Sequence, residues 1–207
     1  MLKVETMQVG YIGTNCYIVY CTETKTAFVV DPGGDAAVII KKIEELGVKP
    51  IAILITHGHL DHIGANDAIA KKYSIPVYIH EADAAMLTSA EKNLSSMLGE
   101  RLVCQAADKF LSDNDVIELG SHQFRVIHTP GHTPGGICFF ADNVLLSGDT
   151  LFKQSVGRTD FPGGSAKKLT DSIKNKLFCL PEETVVYPGH EGKTTIGYEK
   201  KHNPFII

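Results

Sequence analysis

Hydrophobic positions along the chain follow two periods, and the two kinds of segment alternate. Short apolar runs bounded by glycine, proline or charged residues predict buried β-strands. Apolar residues spaced three or four apart predict helices that cover a sheet. We expect Asp35 to cap the first helix. In the first half the strand-like segments are 15–20, 26–30, 51–55 and 77–80, and the helix-like segments are 35–47, 65–72 and 81–88.

The second half has the same coarse plan of strands followed by a helix. Its strand-like segments are 116–119, 124–128, 137–140, 144–146 and 184–187, and its helix-like segment is 166–176. Because each strand-rich half has helices to cover it, the pattern predicts an α/β layered sandwich. A chain of 207 residues suits one domain, so we expect a single domain over 1–207.

Charge and composition narrow the classes of function. The formal net charge is -4 and the basic residues are scattered, so we expect no nucleic-acid partner. No segment approaches the roughly 18 apolar residues of a membrane span, and residues 1–6 lack the apolar core of a signal peptide. We therefore expect a cytoplasmic protein without a membrane partner. The five cysteines form no CxxC pair, which predicts reduced, buried thiols.

The densest cluster of chemically active side chains lies in the run 56–62. It holds three histidines and a carboxylate, and it follows the buried strand predicted at 51–55. Packing does not explain four such side chains at the end of a rigid strand. Imidazole and carboxylate groups are ligands for zinc and related divalent ions. The candidate ligands in this run are His57, His59, Asp61 and His62.

Three later segments each place another candidate ligand after a predicted strand. They are His132 in 129–136, Asp149 in 147–150 and His190 in 188–192, each next to a glycine that lets the backbone turn. A single catalytic zinc normally takes three protein ligands and water. Seven groups are therefore too many for one ion and suit two ions that share a bridging carboxylate.

Together these segments resemble the metallo-β-lactamase superfamily, and in particular its glyoxalase II-like branch. The resemblance rests on 56–62 with Gly64, 130–135, 147–152 and 188–190, and it extends to 15–17, 31–33 and 194–205. It implies a four-layer αββα sandwich. It also implies one metal site from His57, His59 and His132, a second from Asp61, His62 and His190, and Asp149 as the bridge between them.

The resemblance also implies roles around the metals. Asp31 would accept a hydrogen bond from a ligand histidine and fix its tautomer. Asp61 is also the candidate catalytic residue, because it could orient water rather than bind metal. Arg158, in the loop 157–164, would contact a substrate carboxylate. We expect two divalent ions, with zinc favoured and iron or manganese as alternatives.

The function implied is hydrolysis of a small-molecule thioester such as S-lactoylglutathione, by attack of a metal-bridging hydroxide. An alternative is a mononuclear-iron persulfide dioxygenase of the same fold, which would use His57, His132 and Asp149 as its triad. The tail 194–205 favours the hydrolase. A β-lactamase is disfavoured, because Asp149 stands where the most similar lactamases usually carry cysteine. No residue pattern indicates an oligomeric state.

Overall fold

The computed structural model describes residues 1–206, and two six-stranded sheets form its centre. In spatial order the first sheet contains β1 (Leu2–Val9), β2 (Thr14–Cys21), β3 (Thr26–Val30), β4 (Lys49–Leu54), β5 (Val77–His80) and β6 (Lys109–Leu111). The second contains β14 (Thr194–Thr195), β13 (Val185–Pro188), β10 (Val144–Gly148), β9 (Ile137–Ala141), β8 (His122–His128) and β7 (Val116–Leu119). A separate hairpin pairs β11 (Leu151–Phe152) with β12 (Ser155–Val156).

Short helices connect the strands. They are α1 (Ala36–Leu46), α2 (Leu60–Ile63), α3 (Asn66–Tyr73), α4 (Ala84–Leu87), α5 (Ala166–Ser172) and α6 (Ile196–His202). Two 3-10 turns cover Glu81–Asp83 and Ser95–Leu98, and a π-helical turn at Ile173–Leu177 continues α5. Within residues 1–206, no helix has both the length and the apolar character needed to cross a bilayer.

Strand direction brings the ends of several strands to one edge of the molecule. In the first sheet β3, β4, β5 and β6 are parallel, so the segments that follow β3 and β4 leave from the same edge. In the second sheet β10 and β13 are parallel, and β8 has the same direction because antiparallel β9 lies between β8 and β10. The segments after β8, β10 and β13 therefore also meet at one edge.

Three apolar layers hold the elements together. Along β4 the side chains alternate, so that Ala52 and Leu54 face the second sheet while Ile53 and Ile55 face α1 and α3. Phe28 and Phe124 meet edge to face between the sheets, with ring centroids 5.7 Å apart. A third layer lies between the second sheet and the helices α5 and α6. The predicted four-layer αββα sandwich is confirmed.

Two local predictions were wrong. Asp35 does not cap α1 with its side chain; its Oδ2 atom accepts a hydrogen bond from the Gly10 backbone N–H at 2.8 Å, which joins two loops. Cys179 is exposed, whereas the other four cysteines are buried and unpaired as expected. The sequence pattern also missed the edge strands β1 and β6, because their exposed residues interrupt the apolar runs.

Candidate metal centre

The seven candidate ligands lie together at the edge where the strand ends meet. The segment after β4 carries four of them, with Asp61 and His62 on α2. The turns after β8, β10 and β13 supply His132, Asp149 and His190. The four histidines His57, His59, His62 and His132 are buried, and Asp61, Asp149 and His190 are partly exposed. Each ligand group thus combines residues from both sheets.

Close approach of the turns requires glycine beside the ligands. A Cβ atom on Gly189 would lie 2.1 Å from Oδ1 of Asp149 and 2.8 Å from the His62 ring. Gly148 has φ of +48°, and a Cβ there would lie 2.3 Å from the Thr56 hydroxyl. These glycines explain why the ligand motifs carry glycine next to histidine or aspartate.

His57, His59 and His132 form the first donor group. Their rings contact one another pairwise, with every centroid separation 4.7 Å. Nδ1 of His59 and Nε2 of His132 face each other at 3.0 Å. The other ring nitrogen of His132, Nδ1, donates to the Arg158 carbonyl oxygen at 2.7 Å, which leaves Nε2 free to bind an ion.

Asp61, His62 and His190 form the second donor group. Nε2 of His190 lies 3.2 Å from Oδ2 of Asp61, which also accepts from the Thr14 hydroxyl at 2.8 Å. Nδ1 of His62 donates to Oδ2 of Asp31 at 3.0 Å. This bond orients the ring so that its Nε2 atom faces the centre, where it can bind an ion.

Asp149 lies between the two groups. Its Oδ1 atom is 3.4 Å from Nε2 of His62, and its Oδ2 atom is 3.5 Å from Nε2 of both His132 and His190. Three sets of ligand atoms each converge within 4.8 Å: His57, His59 and His132; His57, His62 and Asp149; and Asp61, His62 and His190. A carboxylate in this position can bind two ions at once.

The charges of the cluster favour bound cations. Burial and the neighbouring imidazoles hold the pKa of His59 at about 3 and that of His57 well below its usual range, so both are neutral ligands. Burial alone would lower the pKa of His190, but hydrogen bonds from its ring to the carboxylates of Asp149 and Asp61 raise it to about 9. The carboxylate side of the cluster therefore stabilises positive charge, which divalent cations would supply.

Donor chemistry provides an independent test of the fit to metal. Nε2 of His57, Nε2 of His62 and Oδ1 of Asp149 are buried without a hydrogen-bond partner. A buried polar atom left unpaired costs free energy, so such atoms are rare unless they serve a ligand. Nitrogen and carboxylate donors of this kind suit zinc, iron or manganese. The cluster is thus a divalent-metal site by its chemistry.

A cleft of about 520 Å³ opens over the cluster. Five candidate ligands, namely His59, Asp61, His132, Asp149 and His190, form its floor. Its walls include the apolar side chains Ile12, Leu94, Met97, Leu98, Phe152, Val156 and Phe161. Met97 and Leu98 belong to the 3-10 turn Ser95–Leu98. The cleft is large enough for a small organic substrate.

Arg158 lies at this cleft but is engaged by its neighbours. Its Nε and Nη2 atoms donate to Asp160 at 2.7 and 2.6 Å, and its guanidinium carbon lies 3.9 Å from the centre of the Phe161 ring. Contact with a substrate carboxylate would require the side chain to exchange Asp160 for the substrate. The pair is exposed, so the cost of that exchange is small.

Two residues that support the metal centre were not identified as site residues from the sequence. Asp83, buried beside the first donor group, follows β5 without any motif to identify it. Asn15 donates from Nδ2 to the carbonyl oxygens of Pro188 and Glu191, which bracket His190. The Asn15-Cys16-Tyr17 segment was noted as part of the family resemblance, and that match was the available signal for Asn15.

Comparison with other proteins gives relatives of similar length. The "Probable metallo-hydrolase YqgX" of Bacillus subtilis (strain 168) is 38% identical, and the alignment covers 99% of this chain and 98% of YqgX. The "Hydroxyacylglutathione hydrolase GloC" of Haemophilus influenzae (strain ATCC 51907 / DSM 11121 / KW20 / Rd) is 35% identical, with coverage of 99% and 98%. Both alignments span the whole metal centre.

Solved structures share the fold closely. BLEG-1, described as a B3 metallo-beta-lactamase, has a TM-score of 0.95 and 43% identity, with 99% of each chain covered. ETHE1 from Myxococcus xanthus has a TM-score of 0.84 and 28% identity over 99% of this chain and 84% of its own. TTHA1623, solved in a di-iron-bound form, has a TM-score of 0.86 and 34% identity, with coverage of 97% and 99%.

The sequence model of the Metallo-beta-lactamase superfamily matches residues 9–190, which include all seven candidate ligands. The glyoxalase II-like branch is a finer assignment, and among the relatives described above GloC is the one whose name agrees with it. The match, the fold and the donor cluster agree with one another. The chain belongs to the metallo-β-lactamase superfamily and carries the histidine and aspartate cluster of a metal-dependent hydrolase.

Proposed function

We propose that this protein is a dinuclear metal-dependent thioesterase that acts on a small-molecule thioester such as S-lactoylglutathione. One observation carries the proposal: the Asp149 carboxylate lies within 3.5 Å of ring nitrogens from both donor groups, and Nε2 of His62 is buried without a hydrogen-bond partner. In a site with a single ion at His57, His59 and His132, this His62 atom would bind no ion and would face only the carboxylates of Asp149 and Asp61, at 3.4 and 3.6 Å. The 35% identity with GloC supports the choice of thioester.

The chain's own residues would divide the work between holding metal and handling protons. His57, His59 and His132 would hold one ion, Asp61, His62 and His190 the other, and Asp149 both. Such ions would supply hydroxide at neutral pH and polarise a carbonyl group. Asp61 borders the cleft and is held by Thr14, so it is placed to accept a proton from attacking water.

The overall reaction adds water across the thioester. The oxygen of water forms a bond to the acyl carbon, and the carbon–sulfur bond breaks. The sulfur leaves as a thiolate, which takes up a proton. The products are a carboxylic acid and a free thiol. The apolar walls around Phe161 and Met97 would exclude bulk water from the acyl group, while Arg158 would bind a carboxylate of the substrate.

The second candidate is a mononuclear-iron persulfide dioxygenase, with iron held by His57, His132 and Asp149. The similarity to ETHE1 from Myxococcus xanthus favours it as the runner-up. A mononuclear-iron dioxygenase would leave the second donor group without a function. In that group Asp31 already orients the His62 ring through its Nδ1 atom. For this reason we rank it below the thioesterase.

The deciding experiment combines metal content with turnover. The protein is loaded separately with Zn²⁺ and, without oxygen, with Fe²⁺, and each form is assayed with S-lactoylglutathione and with glutathione persulfide. We expect two ions per chain and release of thiol from the thioester. One iron per chain with oxygen uptake on the persulfide would overturn the proposal.

A chromogenic cephalosporin belongs in the same assay, because BLEG-1 is described as a β-lactamase. We expect its turnover to be at least about tenfold slower than that of the thioester. The Asp149→Ala variant serves as the control for contaminating hydrolases. The two ions would lose their shared ligand in this variant, so any turnover that remains would come from a contaminating enzyme. Faster lactam turnover would make a β-lactamase the better assignment.

A further inference from the structure

Asp83 is a buried carboxylate beside the first donor group, and it is not itself one of the candidate ligands. It ends the 3-10 turn Glu81–Asp83, directly after β5 of the first sheet. No lysine or arginine among residues 1–206 forms an ion pair with it. A carboxylate that is fully buried without a cation has to be satisfied by hydrogen bonds.

Those hydrogen bonds come from both ligand loops of the first group. Oδ1 of Asp83 accepts from the Gly135 backbone N–H at 2.6 Å, and Oδ2 accepts from the Thr133 hydroxyl at 2.7 Å. Oδ2 also accepts from the Gly58 backbone N–H at 3.3 Å. Gly58 lies between His57 and His59, and Thr133 follows His132. One side chain therefore binds the loops that carry all three ligands.

The two loops come from different sheets. The His57-to-His59 loop follows β4 of the first sheet, and the His132 loop follows β8 of the second. Their spacing is therefore not fixed by the hydrogen bonds of either sheet. Glycine permits the close contact, since a Cβ on Gly135 would lie 2.7 Å from Oδ1 of Asp83 and one on Gly58 would lie 2.4 Å from Cβ of Met86.

We propose that Asp83 is a positioning residue that holds the His57–His59 loop and the His132 loop at the separation required by one metal ion. Asp31 has the corresponding task for the second group, where it bonds directly to the ring of His62. Asp83 acts through backbone N–H groups and Thr133 instead. The proposal concerns metal binding, so it holds whether the substrate is a thioester or a persulfide.

The test measures metal affinity directly. The Asp83→Asn variant keeps the shape of the side chain. One of its two acceptor oxygens becomes an NH₂ group, which must then face a donor from Gly58, Thr133 or Gly135. Zn²⁺ affinity is measured by competition with a chromophoric chelator, and the absorption spectrum of the Co²⁺-substituted protein reports ligand geometry. We expect one ion to bind about 10- to 100-fold more weakly and its cobalt spectrum to change, while the other ion is retained.

Glu199→Gln is the matched control. Glu199 is also fully buried, and it accepts from the Gln154 N–H, the Thr194 hydroxyl and the Asn203 amide at 2.9, 2.6 and 2.9 Å. Its replacement should lower thermal stability to a similar extent but leave both metal affinities unchanged. Equal losses of metal in the two variants would show a general effect of removing a buried charge, and would overturn the proposal.

Thr133→Val covers the case in which Asp83→Asn does not fold, as judged by circular dichroism of the metal-free protein. It removes one of the three donors and keeps the side-chain volume, so we expect a loss of one ion's affinity of several-fold. Where Asp83→Asn folds, wild-type affinity and an unchanged cobalt spectrum in that variant overturn the proposal. Where it does not fold, the same result in Thr133→Val overturns it.

Discussion

The floor and the rim of the cleft are built in opposite ways. On the floor, His59 and His132 are 6% and 5% exposed, and a hydrogen bond from Nδ1 holds the orientation of the His132 ring. On the rim, Met97 is 67% exposed and the Arg158 side chain 57%. A floor whose ligand rings are held in place from behind is preorganised for metal and for one kind of chemistry. An exposed rim can change residue by residue without loss of the fold.

This difference between floor and rim predicts which property each variant will change. Changes on the floor should alter metal content and kcat, because they disturb groups that act on the reacting atoms. Changes on the rim should alter KM, because they remove contacts that substrate and transition state share. The four predictions below test this division, and they run from the largest expected effect to the smallest.

Asp149→Ala should abolish activity, with a loss of at least about 1,000-fold in kcat, and the protein should lose metal. The reason is that this carboxylate lies within 3.5 Å of ring nitrogens from both donor groups, where it would bind both ions. Metal analysis and turnover of the purified variant provide the measurement. Near-normal metal content and rate would show that Asp149 does not bridge the groups.

Asp31→Asn should weaken the second ion about 10- to 100-fold and leave the first in place. An asparagine can adopt the left-handed backbone conformation of Asp31, whose φ is +49°, so the backbone itself is not strained. The change instead weakens the bond that orients His62. Titration of the variant with Zn²⁺ should give one tight and one weak site, whereas two equally weak sites would contradict the separate roles of Asp31 and Asp83.

Arg158→Ala should raise KM for a substrate with a carboxylate about 3- to 10-fold and change kcat little. Its matched control is Asp160→Asn, which frees the guanidinium from its ion pair and should leave KM unchanged or lower it. Steady-state kinetics with both variants give the answer. A loss confined to kcat in Arg158→Ala would argue against a binding role.

Met97→Ala should have the smallest effect, a rise in KM of about two- to threefold for an apolar acyl group. Its side chain lines the cleft but is mostly exposed, so the free energy of unfolding should change by no more than about 0.5 kcal/mol. Val116→Ala, at a position on β7 that is 53% exposed, is the control for a general effect of truncation. Chemical denaturation and kinetics of both variants test the prediction.

The fold was predictable where the local pattern and the burial agree. The apolar run at 51–55 predicted a strand, and Ile53, Leu54 and Ile55 are indeed buried. The candidate ligands were recognisable for a related reason, since each belongs to a short motif that follows a strand and contains glycine. Such motifs are local in sequence even though the site is assembled from distant segments.

The remaining features depend on contacts that no local pattern encodes. Asp83 carries no motif, because its partners Gly58 and Gly135 are 25 and 52 positions away along the chain. Asp35 resembled a helix cap, but the approach of Gly10 across the fold gave its carboxylate another donor. Cys179 lies exposed just after the π-helical turn that ends at Leu177.

The division of each donor group between the two sheets has a thermodynamic consequence. His57 and His59 come from the first sheet and His132 from the second; Asp61 and His62 come from the first and His190 from the second. Neither group is complete until the sheets pack against each other, so the unfolded chain cannot offer either set at its native spacing. Bound metal then acts as a linked ligand of the native state, and chelation should lower the melting temperature of the whole sandwich.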